Sequence, residues 1–153
     1  MSDYATLADL LLPELIDLNI TISSKKKLLE HMAAMLAAHP SHNLKPKEIY
    51  HLLLEREKMG NTGIGEGIAL PHNRCQGLQD AVLAIVSLDN AIDYDSIDNQ
   101  PVNIAFGLLV PVDANDQHLT LLSKIATLVR EPGRKDALLD LRDGQQLIDS
   151  IKG

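Results

Sequence analysis

Two stretches, "AVLAIVSL" from Ala81 to Leu88 and "VNIAFGLLVPV" from Val102 to Val112, are apolar at nearly every position. A strand with one wet face alternates apolar and polar residues, so strands written this way are covered on both faces. Helices must then lie on both sides of a sheet, which restricts the chain to a layered α/β architecture. Helical segments of the right kind are present. From Ser24 to His39, the residues Leu28, Leu29, Met32, Met35 and Leu36 fall at helical spacing, Ser23 or Ser24 can cap the start, and Pro40 stops it. "KPKEIYHLLLEREKMG" puts Pro46 in a first turn, Ile49, Leu52 and Leu53 on one face and Gly60 at the end, so a second helix finishes near Lys58.

Further elements follow the same logic. "ELIDLNI" alternates Ile16, Leu18 and Ile20 with polar residues, the period of a half-buried strand, and "GIAL" reads as a short strand. "DNAIDYDSIDNQP" is dense in turn formers and is expected to carry the chain across the top of the sheet. From Asp116, Leu119, Leu122, Ile125, Ala126 and Val129 form one helical stripe closed by "EPG", and two shorter helices follow around 134–141 and 144–151. With no internal repeat and no dividing linker, the 153 residues are expected to form a single domain, 1–153, large enough to bury its own core.

Charge and composition remove several classes of function. The net charge is -7, and only "SKKK" at Ser24 to Lys27 resembles the lysine cluster that phosphate neutralisation needs, so nucleic-acid binding is not expected. Those lysines read as the solvated first turn of a helix. Aromatics make up 3% of the chain, which leaves little for base stacking. No apolar window approaches a membrane span and no signal peptide opens the chain, so a cytoplasmic protein without membrane insertion is expected. The one cysteine, Cys75, cannot form an internal disulfide, which agrees with a reducing compartment.

The chemistry concentrates between residues 56 and 74. "MGNTGIGEG" holds Gly60, Gly63, Gly65 and Gly67, which lets the backbone turn sharply and present N–H groups to an anion; Asn61, Thr62 and Gly63 are the candidate phosphate loop. It is not a nucleotide P-loop, because no Gly-Lys-Ser/Thr follows. A flexible helix-to-strand connection is the plainer reading of the glycines. Directly after them comes "GIALPH", where Pro71 fixes the backbone beside His72. A neutral imidazole is nucleophilic near pH 7 and can be aimed by a hydrogen bond to its other nitrogen, which suits a phosphoryl acceptor. Phosphoryl transfer needs little more than positioning and positive charge for the equatorial oxygens, and Arg56 and His118 are candidates to supply it. Taken singly, Arg56 is equally a solvated helix-end cation and His118 an exposed first-turn residue.

Other groups fit no site. Cys75 is three residues from His72 but lacks an identifiable base and orienting group, and reads as structural. His31, His39, His42 and His51 have no metal-ligand spacing, and Asp89, Asp93, Asp95 and Asp98 lack the order of a calcium loop. Neither a metal nor a cofactor is expected.

The segment "EREKMGNTGIGEGIALPH", followed by "AIDYDSIDNQPVNIAFGLLVPVDANDQHLTLLSKIA", resembles the bacterial enzyme IIA components of the fructose/mannitol class of the phosphotransferase system, and within it the nitrogen-regulatory IIA proteins. The resemblance runs from "LLLPELIDLNI" to the last helix and is carried by Glu57, the Ile64-Gly65 pair and "IALPH" at the spacing of the family signature. It implies a three-layer α/β sandwich with a mixed central β-sheet flanked by helices. It also implies that His72 is phosphorylated by a histidine-containing phosphocarrier protein, that its outer nitrogen Nε2 carries the phosphate, and that Arg56 and His118 border it. Asn73 stands where the family commonly has Gly and Arg74 where Lys is frequent; Asn tolerates left-handed backbone angles, so the turn is expected to survive. Two roles follow, a phosphorylation-dependent regulator of other proteins or a relay that passes phosphate to a IIB domain of a sugar transporter. The lack of an attached IIB or membrane segment in this sequence inclines the expectation to regulation.

Overall fold

The computed structural model describes residues 5–114 and 116–152; the side chains of residues 5, 6 and 116–119 lie outside the described set. In chain order the elements are α1 (Ala5–Ala8), a 3-10 turn (Pro13–Leu15), β1 (Ile16–Ile20), α2 (Lys25–Ala37), α3 (Pro46–Met59), β2 (Gly63–Gly65), β3 (Ile68–Ala69) and β4 (His72–Cys75). Two long strands follow, β5 (Val82–Ile92) and β6 (Val102–Pro111), then α4 (Asp116–Arg130), α5 (Arg134–Leu139) and α6 (Gly144–Lys152). Among the described residues the strands form one sheet in the order β1-β5-β6-β3-β2, with β4 also paired to β6. The sheet is mixed: β5 and β6 are antiparallel, β1 runs parallel to β5, and β3 and β4 both run parallel to β6.

The two apolar strands behave as their composition dictates, because successive side chains leave a strand on opposite faces. Leu83, Ile85, Ile104, Phe106 and Leu108 enter one buried cluster with Ile125 and Leu128 of α4 and Leu147 and Ile148 of α6. Val82, Ala84, Val86, Ala105 and Leu109 enter the other, with Leu28, Leu29 and Met32 of α2 and Ile49 and Leu53 of α3. The three-layer sandwich follows directly from this division. At Gly107 a Cβ would collide with the side chain of Met32, so this position in β6 lets α2 lie close on the sheet.

The early helices sit where periodicity and capping place them. Ser24 caps α2, its Oγ accepting from the Lys27 N–H at 3.2 Å, and Pro46 opens α3. Lys26 and Lys27 are exposed, as a solvated first turn requires, whereas Lys25 turns inward to Glu57. No helix among the described residues is long and apolar enough to cross a membrane.

Three differences from the sequence reading bear on the site. First, β5 continues through Asp89 and Asn90 to Ile92, although that segment is rich in turn formers. Pairing of Ile92 with Val102 and burial of Ile92 override local preference there, with a register shift after Ser87. Second, β2 was not evident in the glycine-rich stretch, where Gly63 and Gly65 pair with the short strand β3. Third, "GIALPHNRC" is two strands on one track. Ile68 and Ala69 pair with Ile104 and Ala105, the ladder breaks at Leu70-Pro71, and His72 to Cys75 resume it opposite Leu108 to Pro111. Proline has no N–H to give, but its carbonyl still accepts from Leu108 N–H at 3.0 Å. The break leaves the Leu70 carbonyl available, and His72 becomes the first residue of β4.

Candidate functional site

His72 is half-buried at the start of β4, and its Nδ1 lies 2.6 Å from the carbonyl oxygen of Leu70. A carbonyl oxygen can only accept, so Nδ1 carries the proton and Nε2 holds the free lone pair. The imidazole's direction and tautomer are therefore set by a residue two positions away, across the proline that breaks the ladder. Burial pushes the imidazole below its ordinary value of 6.5. The Leu70 hydrogen bond and the charge of Glu57 pull it up, and the charge of Arg56 pulls it down. The net effect is a ring that is neutral and nucleophilic at pH 7.

Period-two alternation along β4 sends His72 and Arg74 to one face and Asn73 and Cys75 to the other. His72 and Arg74 share a cleft of about 250 Å³ with Arg56, Asn73, Leu108, Val110 and Leu122. Arg56 comes from the last turn of α3, with its guanidinium donating to the Gly60 carbonyl at 2.8 Å. Arg74 donates to the Val112 carbonyl at 2.9 Å. Each of these bonds occupies one N–H of a five-donor guanidinium, a planar fork suited to holding a second acceptor such as a phosphate oxygen. The structure thus brings Arg56 to His72 and adds Arg74. The sequence signal for Arg74 was the His-x-Arg alternation, legible only once β4 is known to be a strand. His118 lies in the first turn of α4, four residues before the cleft residue Leu122, and its side chain is outside the described residues.

In the candidate phosphate loop Thr62 and Gly63 are buried and Asn61 is exposed. Thr62 is 3% exposed; its N–H donates to Glu57 Oε1 at 3.3 Å, and its hydroxyl bonds Glu57 Oε2. The Gly63 N–H donates to Asn61 Oδ1 at 2.7 Å, and Asn61 Nδ2 donates to the Tyr94 carbonyl at 2.7 Å. The donors of Asn61, Thr62 and Gly63 named here are engaged within the protein, so in this structure the segment braces the site from behind. Gly65 and Gly67 do need positive φ, at 93° and 79°, where Asp98 and Lys135 close around the turn between β2 and β3. Asp98 accepts from the Glu66 and Gln100 N–H groups, a turn-bracing role.

Asn73 has a different part from the one its backbone tolerance suggests. It lies within β4 and is not among the positive-φ residues, so no left-handed turn exists there to accommodate. Its Nδ2 instead donates to the Leu52 carbonyl of α3 at 2.8 Å, tying the strand that carries His72 to the helix that carries Arg56.

The remaining candidates are structural in their surroundings. Cys75 is buried, and burial pushes its thiol up, away from reactivity. His31 contacts Asp17 at 2.7 Å and His39 stacks on His42. No group of three metal-ligating side chains occurs among the described residues.

The geometry sets an unprotonated imidazole nitrogen in a cleft that two arginines also line, and comparison with known proteins gives it a lineage. Residues 9–153 match the family described as "Phosphoenolpyruvate-dependent sugar phosphotransferase system, EIIA 2". A nitrogen regulatory protein of Bradyrhizobium diazoefficiens is 36% identical over 141 residues, covering 92% of this chain and 91% of its own. The fructose-specific EIIABC component of Bacillus subtilis is 31% identical over 146 residues, covering 95% of this chain and 23% of its own. Among solved structures, the nitrogen regulatory protein IIA-Ntr from Neisseria meningitidis superposes with a TM-score of 0.89 at 29% identity, covering 96% of this chain and 99% of its own. By sequence along nearly its whole length and by fold, this chain belongs to the EIIA type 2 family of the phosphotransferase system.

Proposed function

We propose that the chain accepts a phosphoryl group on Nε2 of His72 from a histidine-containing phosphocarrier protein, and that its phosphorylation state governs its binding to other proteins. The observation that carries this reading is the Nδ1 to Leu70 hydrogen bond, which leaves Nε2 unprotonated in a cleft bearing Arg56 and Arg74. In the transfer, the Nε2 lone pair forms a bond to phosphorus as the bond from phosphorus to the carrier's histidine nitrogen breaks. The carrier nitrogen recovers its electron pair. The proton stays on Nδ1, donated to the Leu70 carbonyl throughout, so the acceptor needs no rotation. Because the transition state spreads charge over three equatorial oxygens, Arg56 and Arg74 would lower the barrier by meeting that charge, with His118 as a further contributor. Exposed Met59, beyond Arg56 on α3, and Val112, beside Arg74, offer apolar surface for the carrier.

The regulatory role is supported by the relatives called nitrogen regulatory proteins. Phosphorylation adds about -1.5 to -2 charges and three acceptor oxygens at neutral pH, enough to change what such a surface binds. The reading places the protein in the bacterial cytoplasm with its carrier. A relay to a sugar IIB domain is the second reading, favoured by likeness to the fructose-specific component. Incubation with phosphoenolpyruvate, enzyme I and the phosphocarrier protein should label the wild type and leave His72→Ala unlabelled; equal labelling sinks the assignment. In the same assay His118→Ala should take up label more slowly, and an unchanged rate removes His118 from the mechanism. Efficient handover of the label to a sugar IIB domain would establish the relay instead of regulation.

A further inference from the structure

We infer that Glu57 is a positioning residue for His72, acting through Thr62 and Leu70 from a buried clamp completed by Lys25 and Tyr94. The inference rests on reading His72 as the phosphoacceptor. The Glu57 side chain is 4% exposed and takes an ion pair from Lys25 Nζ at 2.8 Å. Thr62 binds Glu57 through both its N–H and its hydroxyl, and the Tyr94 hydroxyl lies 3.0 Å from the Thr62 hydroxyl. With the Thr62 proton directed to the carboxylate, Tyr94 must be the donor in that last bond. Burial, reinforced by the charge of Glu57, keeps the Tyr94 proton in place. The Lys25 ammonium also lies 4.5 Å from the centre of the Tyr94 ring.

All of this converges on one peptide. The Thr62 carbonyl accepts from the Leu70 N–H at 2.9 Å, and the Leu70 carbonyl accepts from His72 Nδ1 at 2.6 Å. Leu70 sits where the ladder to β6 is broken, so the backbone bond to Thr62 fixes its plane in place of a continuous strand. Movement of Thr62 would tilt the Leu70 carbonyl and loosen the ring it orients. A buried ion pair contributes little net stability compared with well-packed apolar residues, and a role in holding one conformation accounts for its presence here. Lys25 Nζ, the Thr62 N–H and the Thr62 hydroxyl give the Glu57 carboxylate three donors within the clamp.

The test compares Glu57→Gln, Thr62→Val and Thr62→Ser in the full chain. Three readouts are taken: the His72 ring tautomer by nitrogen NMR of the unphosphorylated protein, the kcat and KM of phosphoryl uptake from the phosphorylated carrier, and the melting midpoint. Thr62→Val keeps the shape of the side chain and removes only the hydroxyl, so it stays informative if Glu57→Gln folds poorly. In Glu57→Gln and Thr62→Val the Nδ1-protonated form should lose its dominance. The kcat should fall about tenfold, equivalent to about 1.4 kcal/mol, at unchanged KM. Thr62→Ser, which keeps the hydroxyl, should retain the wild-type tautomer and rate. A lower melting midpoint with wild-type tautomer and kcat in both of the first two variants would reduce the clamp to a structural brace and overturn the inference. A wild-type chain that takes up no phosphate refutes the acceptor reading alone, because the tautomer comparison still decides whether Glu57 orients the ring.

Discussion

At His72 the surroundings determine when the ring can act. Burial and the charge of Arg56 lower its proton affinity, while the Leu70 carbonyl and the charge of Glu57 raise it, and Arg74 shares its cleft. The neutral form is the nucleophile, so phosphoryl uptake should be flat from pH 7 upward and decline only as acid protonates the ring, with a midpoint below 6.5. An NMR titration of His72 in the free protein should give the same midpoint; a titration above 6.5 contradicts the balance of effects described here. His72 and Arg56 were both legible in the sequence, the first from its place behind Gly-rich backbone and proline, the second from its charge near a helix end. The clamp behind them was not. Lys25 stands in a run of three lysines that reads as solvated, and nothing local shows that one of the three is turned inward by a carboxylate 32 residues later.

Among the elements, β4 shows most clearly why part of the fold escaped sequence reading. Its residues, "HNRC", have no apolar alternation and no β-branched side chain, and they become a strand because β6 offers a free edge beyond the Pro71 break. By contrast β5, β6, α2 and α3 were readable because burial had written their periodicity into the chain. The pairing of β4 with α3 depends on the Asn73 amide, which a glycine at that position would lack. Asn73→Gly should therefore lower stability by about 1 kcal/mol through loss of the bond to Leu52. Asn73→Asp, which also loses the donor, should do the same. Urea midpoints that match the wild type in both variants would show that the tie between strand and helix contributes nothing.

Across the whole molecule, the sheet divides the core into two clusters that are joined through the backbones of the same strands. Ile49 of α3 lies in one and Ile148 of α6 in the other. Ile49→Val and Ile148→Val should each cost about 1 kcal/mol, and the double variant should equal their sum within about 0.5 kcal/mol. A larger deviation in thermal or chemical unfolding would mean that the sheet transmits strain between layers. The cleft is where this independence ends. Arg56 arrives from the layer of α2 and α3, Leu122 from the layer of α4, and His72 from the strand edge between them. Substitutions that ignore one another in a melting curve should therefore show epistasis in the rate of phosphoryl uptake. An evolving lineage could vary either layer freely for stability, while the chemistry would couple the histories of the two.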